Sequence, residues 1–155
     1  MIENKLKIND DKTEFLIIAS PHSHKKITTN HQLTVGNASI NPSASAKNLG
    51  VYFDNEMNMD KQVSSMCKSA NFQLRNIGSI RKCLNDTAAT QLVHALITSR
   101  LDYCNSLLGG IHDKQIDRLQ RVQNNAARIV SRIQKYDHIT PTLKSLHWLP
   151  VRHRI

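Results

Sequence analysis

The second half of the chain repeats apolar residues in steps of three and four, which is the period of an α-helix. The first such series begins at residue 59 and ends at residue 84. It comprises Met59, Val63, Met66, Cys67, Ala70, Leu74, Ile77 and Leu84. This spacing predicts an amphipathic helix of more than six turns, and Asn58 is the residue type expected at its N-cap.

Three further helices are predicted after it. A second helix begins near residues 85–86, and Gly109-Gly110 ends the apolar tail that follows it. Its inward positions are Ala89, Leu92, Val93, Leu96, Leu101 and Cys104. A third helix runs from about Asp113 to Ile133. A short fourth helix opens at Thr140-Pro141 and closes at Leu149-Pro150, because Thr is a good N-cap and Pro suits the first helical position.

The first part of the chain favours strands instead. Residues 12–19 form a β-rich run that ends at Ser20-Pro21, and residues 47–54 form another. Residues 32–40 read as a hairpin, with the pair Gly36-Asn37 as its two-residue turn. The predicted fold class is therefore α+β, with a short antiparallel strand unit over residues 1–56 and an α-helical bundle over residues 57–155.

The positive charge is confined to the helical part. The 155 residues contain 21 Lys and Arg against 12 Asp and Glu, a formal net charge of +9. Residues 60–155 hold 15 of those cations and 6 of those anions, so this region carries the whole excess. A balance of this kind favours a polyanionic partner such as nucleic acid.

The cations of two predicted helices are ordered into stripes. On the third helix the stripe lies opposite the apolar face, is about 31 Å long and comprises Lys114, Arg118, Arg121, Asn125, Arg128, Arg132 and Lys135. The first helix repeats the arrangement at intervals of seven with Lys61, Lys68, Arg75 and Lys82, and Arg81 lies beside them. A solvated helix face normally mixes charge signs, since like charges one turn apart repel. The stripes therefore favour contacts to phosphates, and Phe72 among them suits base stacking or packing against another domain.

Other chemistry is not indicated. Cys67, Cys83 and Cys104 lack the short paired spacings of zinc sites, so we expect no metal site. No P-loop or nucleophile elbow is present. The chain has no apolar run long enough to span a membrane and no visible signal peptide, and its odd number of cysteines suits reduced thiols. We therefore expect an intracellular protein, in the cytoplasm or the nucleus or both.

Five phrases of the sequence, taken in order, point to a known family. They are residues 4–15 (NKLKINDDKTEF), 47–51 (KNLGV), 99–105 (SRLDYCN), 122–128 (VQNNAAR) and 146–151 (LHWLPV). Together they resemble the C-terminal part of the reverse transcriptase of non-LTR retrotransposons, the LINE-type elements of the jockey kind. The resemblance covers nearly the whole chain.

The resemblance implies roles for particular residues. Residues 1–56 would be the end of the polymerase palm and the helical part its thumb. Lys12 would be the lysine proposed to protonate the pyrophosphate leaving group, although an ordinary cation before a strand explains it as well. Three residues of the KNLGV phrase and the tyrosine that follows it would grip the primer end, namely Leu49, Gly50, Val51 and Tyr52. The implied partners are a template–primer duplex of RNA or DNA and the missing palm and fingers.

The resemblance also implies what this chain lacks. The family's aspartates that bind Mg²⁺ would lie before Met1, and Asp10-Asp11 occurs in a later sequence context and does not replace them. We therefore expect no cofactor in this fragment and no polymerase activity of its own. The alternatives are a non-catalytic nucleic-acid-binding or interaction module, or a relic without function.

Overall fold

The computed structural model describes residues 9, 12–24, 27, 31–36 and 38–155. The chain forms two compact units, Met1–Met59 and Asp60–Ile155. Sequence reasoning placed the division after residue 56. The mixed α+β class predicted from the sequence is confirmed, with strand pairs before residue 59 and helices after it.

The first hairpin of the strand unit is the one predicted at residues 32–40. Strands β1 (Leu33–Val35) and β2 (Ala38–Ile40) pair antiparallel, with Leu33 opposite Ile40 and Val35 opposite Ala38. Gly36 has a φ of 58°. A two-residue turn whose twist matches that of the strands requires such a positive φ, which glycine adopts without a steric cost.

A second hairpin replaces the single strand expected over residues 47–54. Strands β3 (Ser45–Asn48) and β4 (Val51–Asp54) pair antiparallel with Asn48 opposite Val51. Leu49 and Gly50 form the turn, with φ values of 46° and 86°. The prediction was wrong because the β-forming residues on both sides of Gly50 look like one run, whereas the two positive φ angles reverse the chain.

The strand predicted over residues 12–19 is also wrong. Phe15 makes one isolated bridge, to Pro42, and a short helix α1 (Pro21–His24) follows. Pro42 has no N–H, so it cannot extend a ladder beside Phe15. The segment is instead tied by single bonds, from Ser43 N to Phe15 O at 2.7 Å and from Ala19 N to Asn55 O at 3.0 Å.

The helical unit begins with α2 (Asp60–Ile80), which continues into one turn of 3-10 helix over Arg81–Cys83. The helix starts two residues after Asn58, so Asn58 is not its N-cap as predicted. The predicted inward residues from Met59 to Ile77 are buried, among them Val63 and Ala70, whereas Leu84 lies after the helix and is only partly buried.

The second predicted helix is divided into three parts. Helix α3 (Asp86–Val93) is followed by a π-helical segment, His94–Thr98, and by α4 (Ser99–Asp102). The Oδ1 atom of Asn85 accepts from Ala88 N at 2.7 Å and caps α3 at the predicted start. The wider π turn shifts the register, so Ile97 is buried, whereas Leu96, predicted to point inward, is partly exposed.

Helix α5 (Asp113–Ser131) is shorter than predicted. Arg132 has a φ of 54° and ends the helix, so Arg132 and Lys135 are not part of a continuous helical stripe. The physical reason is that arginine side chains bind the last carbonyl groups, which substitute for a further turn of helix. The Arg81 guanidinium contacts the carbonyls of Ile129 and Val130 at 2.8 Å and 2.7 Å.

The last helix, α6 (Ile139–Ser145), starts before the predicted cap. His138 precedes it, so Thr140 lies inside the helix and Pro141 is its third residue. Pro is tolerated there because its missing N–H is one of the four that a helix start leaves unbonded. The helix ends as a Schellman motif: Trp148 N donates to Leu143 O at 2.9 Å and His147, with a φ of 56°, donates to Lys144 O at 3.0 Å.

Helices α2 and α5 pack side by side and run in the same direction. The Gln115 amide donates to the Asp60 carboxylate near their N-terminal ends, and Arg81 reaches Ile129 near their C-terminal ends. The core between α2, α3 and α5 is apolar and includes Ala70, Leu74, Ala89, Leu119, Val122 and Ala126. Because α2 and α5 are parallel neighbours, the two cationic stripes predicted from the sequence lie on adjacent helices and run in the same direction.

Candidate nucleic-acid interface

A groove lies between the C-terminal halves of α2 and α5. It consists of two adjoining cavities of about 580 Å³ and about 340 Å³, both of which are lined by Arg128 and Ile129. We call it the α2–α5 groove. It is lined by Asn71, Leu74, Arg75, Gly78, Arg81, Lys82, Asn125, Arg128, Ile129, Arg132, Ile133 and Lys135.

The lining of the α2–α5 groove is cationic. Six of its residues are Arg or Lys, and none of the lining residues is Asp or Glu. Arg75, Arg81 and Lys82 come from α2 and the turn that follows it, whereas Arg128, Arg132 and Lys135 come from α5 and the loop after it. The sequence predicted five of these six residues as sites on separate helices, and the structure brings them to one groove.

Arg81 is the exception, because its guanidinium is used within the fold. The residue is 7% exposed, and it donates to the carbonyls of Leu84, Ile129 and Val130 and to the Asp86 carboxylate at 2.6 Å. Every guanidinium nitrogen of Arg81 is thereby hydrogen-bonded. Arg81 thus joins α2 to the end of α5 and is not available to a ligand.

Asp86 balances the charge at this end of the groove. The hydrogen bond from Arg81 holds the pKa of the Asp86 carboxyl below its ordinary value, and the charge of Arg132 acts in the same direction. Arg132 Nε lies 3.7 Å from the Asp86 carboxylate, and Arg132 Nη2 donates to Leu84 O at 3.0 Å. Arg132 is still exposed, so part of its guanidinium can meet a phosphate.

Arg128 fixes the loop that follows α5. Its Nε and Nη2 atoms donate to the carbonyls of Gln134 at 3.3 Å and Asp137 at 3.0 Å. The Asp137 carboxylate in turn accepts from Gln134 N at 2.7 Å. These bonds hold the loop, and Lys135 within it, against the groove.

Three groove cations remain available. The side chains of Arg75, Lys82 and Lys135 are exposed, and none of them takes part in a hydrogen bond or ion pair to the residues that the structure describes. A cation without an internal partner loses less on binding a phosphate, because no existing bond has to be broken. Arg75, Lys82 and Lys135 are therefore the groove residues best placed for such contacts.

The other predicted cations lie outside the groove. Lys61, Lys68, Lys114 and Arg121 are exposed on the same two helices, nearer their N-terminal ends. Arg118 is half-buried and donates to Gln115 at 2.7 Å and Ser64 at 2.9 Å. Arg118 is therefore a link between α5 and α2, a role that its position in the stripe did not indicate.

The predicted primer-grip residues form the tip of the second hairpin in the strand unit. Leu49 and Gly50 are the turn, and the Leu49 side chain is 84% exposed. Val51 is buried, and the Tyr52 ring lies under the Lys47 ammonium, 5.1 Å from its centroid. Lys12 is exposed, and Asp10 and Asp11 lie outside the described residues.

Sequence reasoning missed the structural role of Arg81 and the exposed aromatic Tyr136. Position 81 continues the apolar series of α2 one turn after Ile77, so a cation there indicated a buried, hydrogen-bonded arginine. No comparable signal marks Tyr136, which lies in an irregular loop.

The described residues offer no metal centre: no three of their His, Cys, Asp or Glu side chains group as ligands. None of the helices in that part of the chain is both long and apolar enough to cross a bilayer. Comparison with protein-family models, with curated proteins and with solved structures finds no match to this chain.

Proposed function

We propose that the helical unit binds the phosphate backbone of nucleic acid through the α2–α5 groove. The observation that carries this proposal is that cations from two helices converge on one groove whose lining has no carboxylate. Like charges brought together repel one another, which lowers stability, and Asp86 offsets this repulsion only at the end of the groove that holds Arg81 and Arg132. A polyanion relieves that repulsion and releases its own condensed counterions on binding.

The proposed wider role is that of the thumb and the palm's end of a non-LTR retrotransposon reverse transcriptase. The resemblance of the five sequence phrases supports it. In that role the helical unit contacts a template–primer duplex, and Leu49, Gly50, Val51 and Tyr52 contact the primer end. Lys12 would serve as the leaving-group proton donor, and the palm and fingers would be supplied by a partner segment.

The proposed chemistry of this chain alone is binding without catalysis. Two-metal phosphoryl transfer needs carboxylates that hold Mg²⁺ against the triphosphate, and the described residues contain no group of three or more His, Cys, Asp or Glu side chains that could hold a metal ion. Purified chain with Mg²⁺, deoxynucleotides and a primed RNA template should extend no primer. Incorporation that follows the chain through purification contradicts this part of the proposal.

The binding proposal is tested by the salt dependence of affinity. Besides the available Arg75, Lys82 and Lys135, part of the Arg132 guanidinium can meet a phosphate. If these four cations contact a DNA duplex, log K falls against log salt with a slope of about −3.6, which is about a 150-fold loss between 50 and 200 mM salt. Fluorescence anisotropy with a labelled oligonucleotide measures it. Absence of binding at 50 mM salt, or a slope near zero, contradicts the proposal.

The same experiment separates the proposal from its alternatives. An interaction module for an uncharged partner surface shows no affinity for the oligonucleotide. A nucleic-acid-binding module without a role in polymerisation shows the same binding, but no preference for a primer terminus over a blunt duplex end. The reverse transcriptase proposal expects that preference.

A further inference from the structure

Two exposed aromatic residues directly follow residues of the α2–α5 groove in the sequence, although neither lines its two cavities. Asn71 and Lys135 both line the larger cavity, and each is followed directly by an aromatic residue. Phe72 is 54% exposed and Tyr136 is 91% exposed. Neither ring therefore contributes much to the core, although each exposes apolar area to water at a cost of roughly 25 cal/mol per Å².

Phe72 lies within the cationic stripe of α2. Lys68 precedes it by four residues and Arg75 follows it by three, so both cations are its neighbours on the helix surface. An apolar protein partner that covered Phe72 would have to remove these two cations from water, which is costly unless they are paired. A nucleic acid pairs such cations with phosphates and offers the flat face of a base to the ring.

Tyr136 is held out from an ordered loop. Arg128 donates to the carbonyls on both sides of it, at Gln134 and Asp137, and the Asp137 carboxylate accepts from Gln134 N. The ring is thus presented on a fixed backbone beside Lys135. A backbone that is fixed before binding loses less conformational entropy when a ligand stacks on the ring it carries.

We infer that Phe72 and Tyr136 are stacking platforms for unpaired bases, so that the helical unit, besides contacting a duplex, takes a single-stranded segment of nucleic acid. This inference rests on the proposed function, since it uses the same cations. Stacked bases in a duplex have no free faces except at its ends, whereas every base of a single strand can stack on an aromatic side chain. The combination of a cationic surface with exposed aromatic rings beside its cations is typical of single-strand binding.

The test uses three labelled ligands and the full chain. The ligands are a single-stranded oligonucleotide, the same length of abasic strand, which keeps the phosphates and lacks the bases, and a blunt duplex. Phe72→Leu should lower affinity for the single strand by about 5-fold or more, because the stack of one base is lost. It should change the affinities for the abasic strand and for the duplex by less than about 2-fold, since those ligands offer no unpaired base.

Two control variants keep the test falsifiable. Phe72→Trp retains an aromatic ring and should keep single-strand affinity within about 2-fold. Leu107→Ala removes an exposed apolar side chain elsewhere in the same unit and should change nothing. Equal affinity of Phe72→Leu and the unchanged chain for the single strand overturns the inference, as does equal binding of abasic and base-containing strands.

The outcomes distinguish this inference from the proposed function. If phosphate-dependent binding is present but does not respond to Phe72, the inference fails and the proposed function stands. If no ligand binds at 50 mM salt, the proposed function fails, and the inference fails with it. If anionic vesicles compete as well as the single strand does and their binding responds equally to Phe72→Leu, the occupant is a membrane surface and the inference is overturned.

Discussion

Arg81 Nη2 donates to the main-chain oxygen of Val130 at 2.7 Å and thereby joins the end of one long helix to the end of another. Arg81 is 7% exposed, and its other donors are bound to Ile129, Leu84 and Asp86. A cationic residue in the 3-10 turn that follows α2 thus acts as the C-terminal cap of α5. The other groove cations depend on it, because it fixes the distance between the helices that carry them.

Removal of this cap should destabilise the helical unit. Arg81→Met keeps the apolar stem but leaves the part-buried Ile129 carbonyl and the buried Val130 carbonyl without this donor, at a cost of about 1–3 kcal/mol for each lost partner. We expect a decrease of about 3 kcal/mol in the free energy of unfolding, measured by urea denaturation and far-UV circular dichroism. Lys82→Met removes a neighbouring exposed cation and should change stability by less than about 0.5 kcal/mol. Similar effects of the two variants contradict the assigned role.

The pH dependence of stability should report the pairing of Asp86 with Arg81. The hydrogen bond lowers the pKa of Asp86 in the folded state below its ordinary value of 3.8. The stabilisation is therefore fully present above that value and is lost as the pH falls through the folded-state pKa. Asp86→Asn should be less stable than the unchanged chain at pH 7, and the difference should narrow below about pH 4.

The Arg81→Met background provides the control for the Asp86 prediction. Without Arg81 the carboxylate loses its main partner and retains only the weaker attraction of Arg132. The stability difference caused by Asp86→Asn should then be smaller and should narrow less on acidification. A difference that stays constant from pH 7 to pH 3 in the unmodified background rules out the pairing as its source.

Arg118 and Arg121 belong to one predicted stripe, but the structure assigns them different roles. Arg121 is exposed, whereas Arg118 is hydrogen-bonded to Gln115 and Ser64. Arg121 lies one helical turn before Asn125, which lines the α2–α5 groove, so a ligand in the groove can extend to it. Arg121→Ala should therefore reduce the magnitude of the salt slope of nucleic-acid binding by about 1, which is the effect of one lost phosphate contact. Arg118→Ala should change the slope by less than half of that and lower the free energy of unfolding by about 1 kcal/mol. The reverse assignment of the two effects contradicts the structure.

The parts of the fold that the sequence predicts well are those with a local cause. Asn85 caps a helix because its side chain reaches the N–H three residues later, and Gly36 turns a hairpin because its φ is positive. The helical spacing of α5 predicts its buried face, from Leu119 to Val130. Each of these features depends on residues within one or two turns of each other.

The errors arose where distant residues decide the local structure. The end of α5 at Ser131 depends on Arg81, about fifty positions earlier in the sequence, and so cannot be read from the stripe itself. The missing strand near Phe15 depends on Pro42 as its neighbour. The candidate site was predictable as two stripes but not as one groove, because the parallel packing of α2 and α5 is a tertiary feature.

The central claim is that cations from both helices act on one nucleic-acid ligand. The most direct measurement compares the salt slope of binding for Arg75→Glu, from α2, and Lys135→Glu, from the loop after α5, with that for Lys144→Glu on α6, an exposed cation outside the groove. Each of the two charge reversals in the groove should reduce the magnitude of the slope by about 1–2 and the affinity by about 10-fold. Lys144→Glu should leave the slope within about 0.5 of that of the unchanged chain. Equal effects of all three variants, or an effect from only one of the two groove residues, would contradict the shared groove.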